Sequence, residues 1–267
     1  MSPDDDLPLE LAIDRRLPST AQIYDALRAA ILDLRLKPGM PISENRICRQ
    51  TSVSRTPVRE AIIRLAQEGL IDVFPQYGSF IAPISLRKVI EGHFIRETLE
   101  IAMLKRASIG WGCAETKRIE CVIAAQRAKA AANDHPGFYR EDENFHRSFA
   151  AIAGMDGVSS VIKDANTHLA RVRQLANPFE GHMEAAIADH QAILDALKTG
   201  HADVAATRLH QHLDRVFETV TKLVHHHSKY FKDVSNQDAL RMVEAAPGKT
   251  KTSGTERTKD AAKISVP

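Results

Sequence analysis

Apolar residues recur at helical spacing in three short segments between residues 20 and 70. The first segment ends at the turn Lys37-Pro38-Gly39, where proline and glycine stop a helix. Ser43 is a suitable N-cap for the second, which predicts a helix from Glu44 to about Thr51. The third begins near Arg55 and has a single apolar stripe, formed by Val58, Ala61, Ile62 and Leu65.

Residues 71–84 change from helical to strand-like patterning. β-Branched and aromatic residues flank Gln76-Tyr77-Gly78, which predicts a small hairpin. Three helices and a hairpin within about 65 residues are typical of a winged helix-turn-helix. We therefore assign residues 19–84 to a DNA-binding domain of this fold.

Residues 85–231 show long helical periodicity with few strand signals, interrupted by glycine, asparagine and proline clusters. The breaks predict six helices in an antiparallel bundle, a second domain over residues 88–231. The fold class is thus mainly α, a winged helix-turn-helix followed by an all-α bundle. We expect residues 1–18 to form a flexible arm and residues 233–267 a mostly disordered tail, whose pattern also allows a short helix around residues 238–245.

Composition narrows the class of protein. With 43% hydrophobic and 26% charged residues the chain is typical of globular domains, and its net charge of only +2 means that a basic surface for DNA must be local. The three cysteines never stand at CxxC spacing, which argues against a zinc ribbon or a disulfide framework. Without a signal peptide or an apolar run of about 20 residues, we expect a cytoplasmic protein with no membrane partner.

The helix that begins near Arg55 has its polar chemistry at one end and on one face. Arg55 and Arg59 are four residues apart and project together, while Ser54 and Thr56 are placed for phosphate oxygens. An arginine fork on a guanine edge provides about 1–3 kcal/mol of discrimination. An ordinary solvated face has the same spacing, so spacing alone leaves both interpretations open.

The run LKPGMPISENRICRQTSVSRTPVREAIIRLAQEGLIDVFPQYGSFIAPIS resembles the winged-helix domain of the GntR family of bacterial transcription regulators. The resemblance covers about residues 20–85, and VSRTPVREA is its most specific part. It implies that Arg55 and Arg59 read the operator, that Ser54 and Thr56 contact the DNA backbone, and that Gly78 enters the minor groove at the wing tip.

Two positions depart from that family pattern. Family members often have an arginine directly after the Ser-Glu pair as a further DNA contact, whereas this chain has Asn45 followed by Arg46. Cys48 replaces the usual small alanine. Asn45 and Arg46 therefore remain candidate DNA contacts, and we expect the operator sequence to differ accordingly.

The second domain contains four residues that suit a metal ion. Asp142 and His146 lie four apart on one helical face, and His190 and His212 follow on later helices. One carboxylate and three imidazoles on facing helices can bind a divalent ion and leave coordination positions open. An Asp-x-x-x-His pair is also common as a helix-surface hydrogen bond, so these residues alone do not require a metal.

Residues from about 88 to 228 are similar to the FCD effector domain of the FadR-type branch of the GntR family, in its six-helix, VanR-like form. The similarity rests on the Arg96–Glu100 segment, on Asp-x-x-Phe-His, and on the two later histidines. It implies that Asp142, His146, His190 and His212 bind zinc, nickel or manganese, and that a small carboxylate effector completes the coordination. Residues 154–157, Gly-Met-Asp-Gly, depart from the usual Gly-Asn.

Three further residues are predicted to contact the effector. Arg96 can pair with a carboxylate, although a structural salt bridge with Glu97 or Glu100 would serve the same side chain. Asn166 and Arg171 lie on a later helix that can face the same cavity.

These features predict a homodimeric, ligand-responsive transcription regulator. The family resemblance implies a repressor that its ligand releases. Each protomer would place one recognition helix in a half-site of a near-palindromic operator in double-stranded DNA. Two alternatives remain: a sensor in which the metal ion itself is the signal, and a metalloenzyme. The four presumed ligands come without an obvious general base, so we expect no enzyme activity.

Overall fold

The computed structural model describes residues 7–9, 11–176 and 181–233. Over these residues the helices are α1 (Ser19–Leu32), α2 (Glu44–Thr51), α3 (Arg55–Gln67), α4 (Leu86–Ala107), α5 (Cys113–Ala131), α6 (His135–Ile152), α7 (Asp156–Ala165), α8 (Thr167–Ala176), α9 (His182–Lys198) and α10 (Ala202–His226). The strands are β1 (Pro41–Ile42), β2 (Ile71–Phe74), β3 (Gly78–Ile81), β4 (Ile84–Ser85) and β5 (Phe231–Lys232), and a short 3-10 helix spans Ser228–Tyr230.

Helices α1–α3 and strands β1–β3 form the N-terminal domain. Ser43 caps α2 as predicted, since its hydroxyl accepts a hydrogen bond from the Arg46 amide at 3.3 Å. Ser52 adopts a left-handed conformation (φ 55°) and so lets the chain turn sharply into α3. The predicted hairpin is confirmed. Strand β1, too short to leave a pattern, pairs with β3 and completes an antiparallel sheet of order β1-β3-β2.

The core of this domain is formed by one face of each helix and the inner face of the hairpin. The apolar stripe of α3 is buried as predicted, and it packs against α1 side chains such as Ile23 and Leu27. Burial of fully enclosed Leu and Ile side chains contributes about 1.5–3 kcal/mol each. The exposed face of α3 is therefore held in place by its buried one.

Leu7 and Leu9 differ from the flexible arm that the sequence predicts, because both side chains are buried in the N-terminal core. The amide of Gln50 on α2 exchanges hydrogen bonds of 3.1 and 3.0 Å with the backbone of Leu7. The chain bends at Pro8, where the amide of Leu9 donates a 2.7 Å hydrogen bond to the carbonyl of Leu7, and both leucine side chains reach the domain. Burial of these two leucines thus attaches part of an otherwise polar segment to the domain.

The C-terminal domain contains seven helices, α4–α10, within the part of the chain that the structure describes, rather than the six predicted. The additional break divides residues 158–176 at Asn166, which has φ −93° and ends α7. It was missed because no glycine or proline marks it. Aromatic and aliphatic side chains from α4, α5, α6, α9 and α10 form the core of this domain.

Strands β4 and β5 join the two domains. Ile84 of the linker pairs with Phe231, so the segment after α10 returns to the connection between the domains. Ile84 and Phe231 are both buried with apolar residues of α4, α8 and α10. Residues 234–267, including the short helix considered around residues 238–245, lie outside the described residues.

A search of the helices in residues 7–9, 11–176 and 181–233 finds none whose length and apolar content would let it span a lipid bilayer.

Gly92 marks a close approach between α4 and the α7–α8 break. A Cβ atom at this position would lie 2.7 Å from the carbonyl oxygen of Ala165 and 3.2 Å from the side-chain oxygen of Asn166. We expect Gly92→Ala to lower the free energy of unfolding by about 1–3 kcal/mol, because the backbone must move to accept the methyl group. Urea denaturation followed by far-UV circular dichroism measures this loss.

Gly157→Ala is the matched control. Nothing lies within 4 Å of a Cβ atom at this exposed helical position, so we expect a change of no more than about 1 kcal/mol, and toward greater stability. Equal losses in both variants would show that the tight contact at Gly92 does not limit packing.

Candidate functional site

Asp142, His146, His190 and His212 converge inside the C-terminal domain; we call them the Asp142 cluster. The Nε2 atom of His212 lies 3.2 Å from Nε2 of His190 and 3.3 Å from Nε2 of His146. The carboxylate of Asp142 lies 3.6 Å from His190 Nε2 and 3.9 Å from His146 Nε2. One ligand atom from each residue lies within 4.8 Å of all the others. The structure therefore brings together the four predicted ligands.

Each histidine of the cluster has an oxygen beside its second ring nitrogen. Nδ1 of His190 lies 3.0 Å from the side-chain oxygen of Gln126 on α5, and Nδ1 of His212 lies 3.1 Å from Asp189 on α9. His146 Nδ1 lies 2.7 Å from Glu100 on α4. An acceptor at Nδ1 favours the tautomer with its proton there and leaves the Nε2 lone pair directed inward.

Burial keeps these imidazoles neutral. It lowers the pKa of His146 to about 4 and that of His190 well below its ordinary value; it also lowers the pKa of His212, against the opposing effect of Asp189. Three neutral rings then direct lone pairs at a common point beside a carboxylate. This donor set, three nitrogens and an oxygen, fits a divalent transition metal and lacks the oxygen-rich environment of calcium or magnesium.

A cavity of about 230 Å³ lies beside the cluster, next to Asp142 and His212. Its lining has four cationic side chains, Arg96, Arg173, Arg215 and Lys222, against two carboxylates, Asp142 and Glu218. A small anion can therefore reach the metal ligands and pair with a cationic side chain at the same time. The volume suits a small molecule of a few heavy atoms.

Arg173 is a residue of this cavity that the sequence analysis missed. Its guanidinium contacts the carboxylates of Asp142 and Glu143, and it is 14% exposed. Burial lowers its pKa to about 10, which leaves it cationic at neutral pH. Arg173 lies two positions after Arg171. Residues two apart on a helix point to different sides, so only one of these two arginines can face the cavity.

The three predicted effector residues lie in three different places. Arg96 lines the 230 Å³ cavity and donates to Glu100 at 2.7 Å, so it occupies both of the predicted environments. Asn166 instead lines a neighbouring cleft of about 990 Å³, whose lining also includes His146 of the Asp142 cluster and Arg173.

The expectation for Arg171 is corrected by the structure. Its fully buried side chain points away from the metal ligands and donates a 2.8 Å hydrogen bond to the carbonyl of Ala82, between the hairpin and β4. The reason is the helix break at Asn166, which sets the orientation of α8 independently of α7.

The predicted DNA-contacting face of the N-terminal domain is exposed. Arg55, Thr56 and Arg59 stand free of the core on α3, and Ser54 makes no capping hydrogen bond, which leaves its hydroxyl available. Arg59 is 72% exposed and has only a 4.0 Å ion pair with Glu44, which is weak at such exposure.

The flanking candidates lie on either side of that face. Asn45 is exposed and Arg46 half-buried on α2, and Gly78, with φ +114°, is at the tip of the hairpin. Tyr77 beside it is 86% exposed and was not among the predicted contacts. The sequence placed it in a turn, but only the fold shows that it extends from the wing.

Comparison with known proteins agrees with this division into two domains. A profile described as "Bacterial regulatory proteins, gntR family" matches residues 19–81, and a profile of the FCD domain matches residues 91–215. The HTH-type transcriptional repressor RspR of Escherichia coli is 30% identical over 227 residues, which is 85% of this chain and 100% of RspR.

Two further proteins are similar. An HTH-type transcriptional regulator in an unstable DNA locus of Streptomyces ambofaciens is 34% identical over 209 residues, 78% of this chain and 88% of that protein. The solved structure of a transcriptional regulator GntR from Rhodococcus sp. RHA1 has a TM-score of 0.64 at 24% identity, covering 76% of this chain and 97% of that one. The fold is therefore shared with the Rhodococcus protein over 97% of its chain.

Removal of His190 tests the Asp142 cluster. We expect His190→Ala to weaken zinc binding more than 100-fold, because a fully buried metal ligand is lost. Loss of a residue that only hydrogen-bonds to a ligand typically costs 10–100-fold. Equilibrium dialysis with elemental analysis measures the loss. His201→Ala removes an exposed histidine and should bind zinc as the wild type does; unchanged binding by His190→Ala would exclude this site.

Removal of Arg59 tests the exposed face of α3. We expect Arg59→Ala to weaken binding to a specific DNA site by about 5–150-fold, which corresponds to 1–3 kcal/mol, and to affect nonspecific DNA much less. Fluorescence anisotropy with specific and scrambled duplexes separates the two. Arg87→Ala, a similarly exposed arginine on α4, is the control, and equal losses on both duplexes would argue against base recognition.

Proposed function

The chain belongs to the GntR family of bacterial regulatory proteins, and we propose that it is a homodimeric repressor whose operator binding is controlled by a small organic acid held at a metal ion in the FCD domain. The coarser part of this function follows from the family: the protein is a DNA-binding transcription regulator, and repressors occur among its relatives. A regulator that binds operator DNA would act in the cytoplasm.

The convergence of three Nε2 atoms beside a basic cavity carries this proposal. A zinc, nickel or manganese ion would be held by the Asp142 cluster and would supply an electropositive centre at the cavity wall. A small organic acid in the cavity would then contact the metal ion on one side and an arginine side chain on the other. Such a site selects small anions by charge and size, since the cavity is only about 230 Å³.

Arg173 gives the cavity a means of responding to its contents. Its guanidinium contacts Asp142, the one anionic member of the cluster. A divalent ion would draw on the same carboxylate and weaken its attraction for Arg173. The released guanidinium would be available to an effector carboxylate, as a bidentate partner.

Helix α8 connects this cavity to the DNA-binding domain. Arg173 faces the metal ligands, whereas Arg171 of the same helix donates to the carbonyl of Ala82. Nδ1 of His168, also on α8, accepts a 3.1 Å hydrogen bond from the amide of Ser85 in the linker. A shift of α8 would therefore be transmitted to the segment that joins the two domains.

In a homodimer such a shift would change the spacing of the two recognition helices. A twofold dimer reads a twofold site, so the separation of its half-sites must match that of the helices. The effector can change DNA affinity only by its differential affinity for the two arrangements, typically about 1–3 kcal/mol. Release from the operator on effector binding is the expected direction.

A metal-responsive regulator is the second candidate, and the contact between Arg173 and Asp142 is the observation that favours it. If the ion alone displaces Arg173, α8 could respond without an organic ligand. Zinc added to metal-free protein would then change DNA affinity by itself.

Arg173→Gln separates these mechanisms. The organic acids are first sought by their effect on the melting temperature of zinc-loaded protein, in a panel of mono-, di- and tricarboxylic acids. For an acid that stabilises the wild type, we expect Arg173→Gln to bind zinc but to lose at least tenfold in affinity for the acid, because the guanidinium is gone. DNA binding then no longer responds to that acid.

Arg127→Gln, on the exposed side of α5, should respond to the acid as the wild type does. A wild-type response in Arg173→Gln would contradict the role of this residue. A DNA response to zinc without any acid would instead support the second candidate.

A further inference from the structure

A second group of histidines and carboxylates lies between α4 and α10, apart from the Asp142 cluster. His93 and Glu97 are one turn apart on α4, and His210 and Asp214 are one turn apart on α10. We call these four residues the His93 cluster. Their helical spacing places each pair on a single face, so the two pairs oppose each other across the helix contact.

The distances within the His93 cluster are short. Nε2 of His93 lies 2.9 Å from Asp214 Oδ1 and 3.6 Å from Glu97 Oε2. His210 reaches the same two carboxylates, through Nδ1 at 2.6 Å from Glu97 and through Nε2 at 3.5 Å from Asp214. One ligand atom from each of His93, Glu97 and Asp214 lies within 4.8 Å of the other two.

The two clusters diverge on α10, where His212 points to the Asp142 cluster, while His210 and Asp214 on either side of it point to α4. On α4, Glu100 shares the helical face of His93 and Glu97 but lies further along the helix, where it contacts His146 of the Asp142 cluster. The His93 cluster therefore has no ligand residue in common with the first site.

The charges of the His93 cluster are not balanced by a permanent cation. Among the residues that the structure describes, neither Glu97 nor Asp214 has a lysine or arginine within 4.0 Å. The side chains of Asp214 and His93 are only 12% and 6% exposed. Two carboxylates largely removed from water are costly unless a positive charge is placed between them.

We propose that the His93 cluster is a second divalent transition-metal site, in which His93, Glu97 and Asp214 are the ligands and His210 lies beside both carboxylates as an outer partner. One imidazole nitrogen and two carboxylate oxygens suit zinc and its neighbours in the first transition row and leave a coordination position open. In a tetrahedral zinc site, ligand atoms lie about 3.3–3.5 Å apart, and Nε2 of His93 lies 2.9 and 3.6 Å from the two carboxylates. His210, 32% exposed, gives the ion a route from solvent.

The ion would cross-link α4 to α10. Both helices also contribute to the Asp142 cluster or its partners, through Glu100 and His212. A metal between them would restrict their sliding and so stiffen one side of the effector cavity. Because its ligands are more exposed than those of the Asp142 cluster, the second site should bind its ion more weakly.

Zinc stoichiometry tests this proposal in the full chain. The wild type should bind two equivalents, a tight one and a weaker one, in calorimetric titration confirmed by elemental analysis. Glu97→Gln should bind only the tight equivalent, and Glu91→Gln, an exposed glutamate on α4 that pairs with Arg87, should bind both. His190→Ala should lose the tight equivalent and keep the weaker one, which separates failure of this site from failure of the first.

Two controls make the result decisive. All variants are also measured with His225, His226 and His227 replaced by alanine, since this histidine run can bind zinc adventitiously. His210→Gln alters a half-exposed side chain and provides a second test if Glu97→Gln does not fold; it should weaken the second equivalent at least tenfold. The proposal would be overturned if the wild type bound one equivalent of zinc, or if Glu97→Gln and His210→Gln each bound two equivalents as the wild type does.

Discussion

The C-terminal domain depends on the packing of three neutral imidazoles, in which Nε2 of His212 lies within hydrogen-bond distance of Nε2 of both His190 and His146. Lone pairs directed at one another inside a bundle are unfavourable unless a cation or a proton lies between them. Their orientation is maintained by Gln126, Asp189 and Glu100, which come from three different helices. The cluster and its hydrogen-bonding partners therefore link five helices, α4, α5, α6, α9 and α10. Entry of an ion at the centre of the cluster would affect the packing of all five.

Electrostatic balance around this centre extends outward in layers. Glu100 lies beside His146 and also accepts from Arg96; although burial alone would raise its pKa, the cationic Arg96 holds the pKa of Glu100 well below its ordinary value. Arg173 contacts Asp142 and Glu143 on the cavity side. Breaking a buried pair by removing one partner costs about 3–5 kcal/mol, so these charges are expected to rearrange together when an ion or an anion enters.

Much of the fold could be predicted from local patterns. The N-terminal domain is built from short segments whose caps, turns and apolar stripes are readable one by one, as at Ser43 and in the α3 stripe. The break at Asn166 was not readable, because no glycine or proline marks it in the sequence, although α4 approaches it closely at Gly92. Burial of Leu7 and Leu9 was missed for a related reason: two leucines leave no periodic signal, and their partners are in α1 and α2.

The candidate site shows the same limit. Asp142 and His146 could be paired by helical spacing, and His190 and His212 by resemblance, but their common centre is a property of the packed bundle. Arg171 and Arg173 illustrate what spacing cannot decide. Two arginines two positions apart must face different ways, yet only the orientation of α8 determines that Arg173 meets the metal ligands and Arg171 meets the linker.

That orientation also explains why the switch would need α8 to move as a unit. Its two arginines are bound at opposite ends of the pathway, one to an anion of the cluster and one to a backbone carbonyl between the domains. A flexible connection would lose the signal through local rearrangement, whereas a short helix held on two sides would convert a change of partner at Arg173 into a displacement at Ala82. Because such coupling is reciprocal, DNA that favours one position of α8 must alter the affinity of the cavity for its ligand by the same factor.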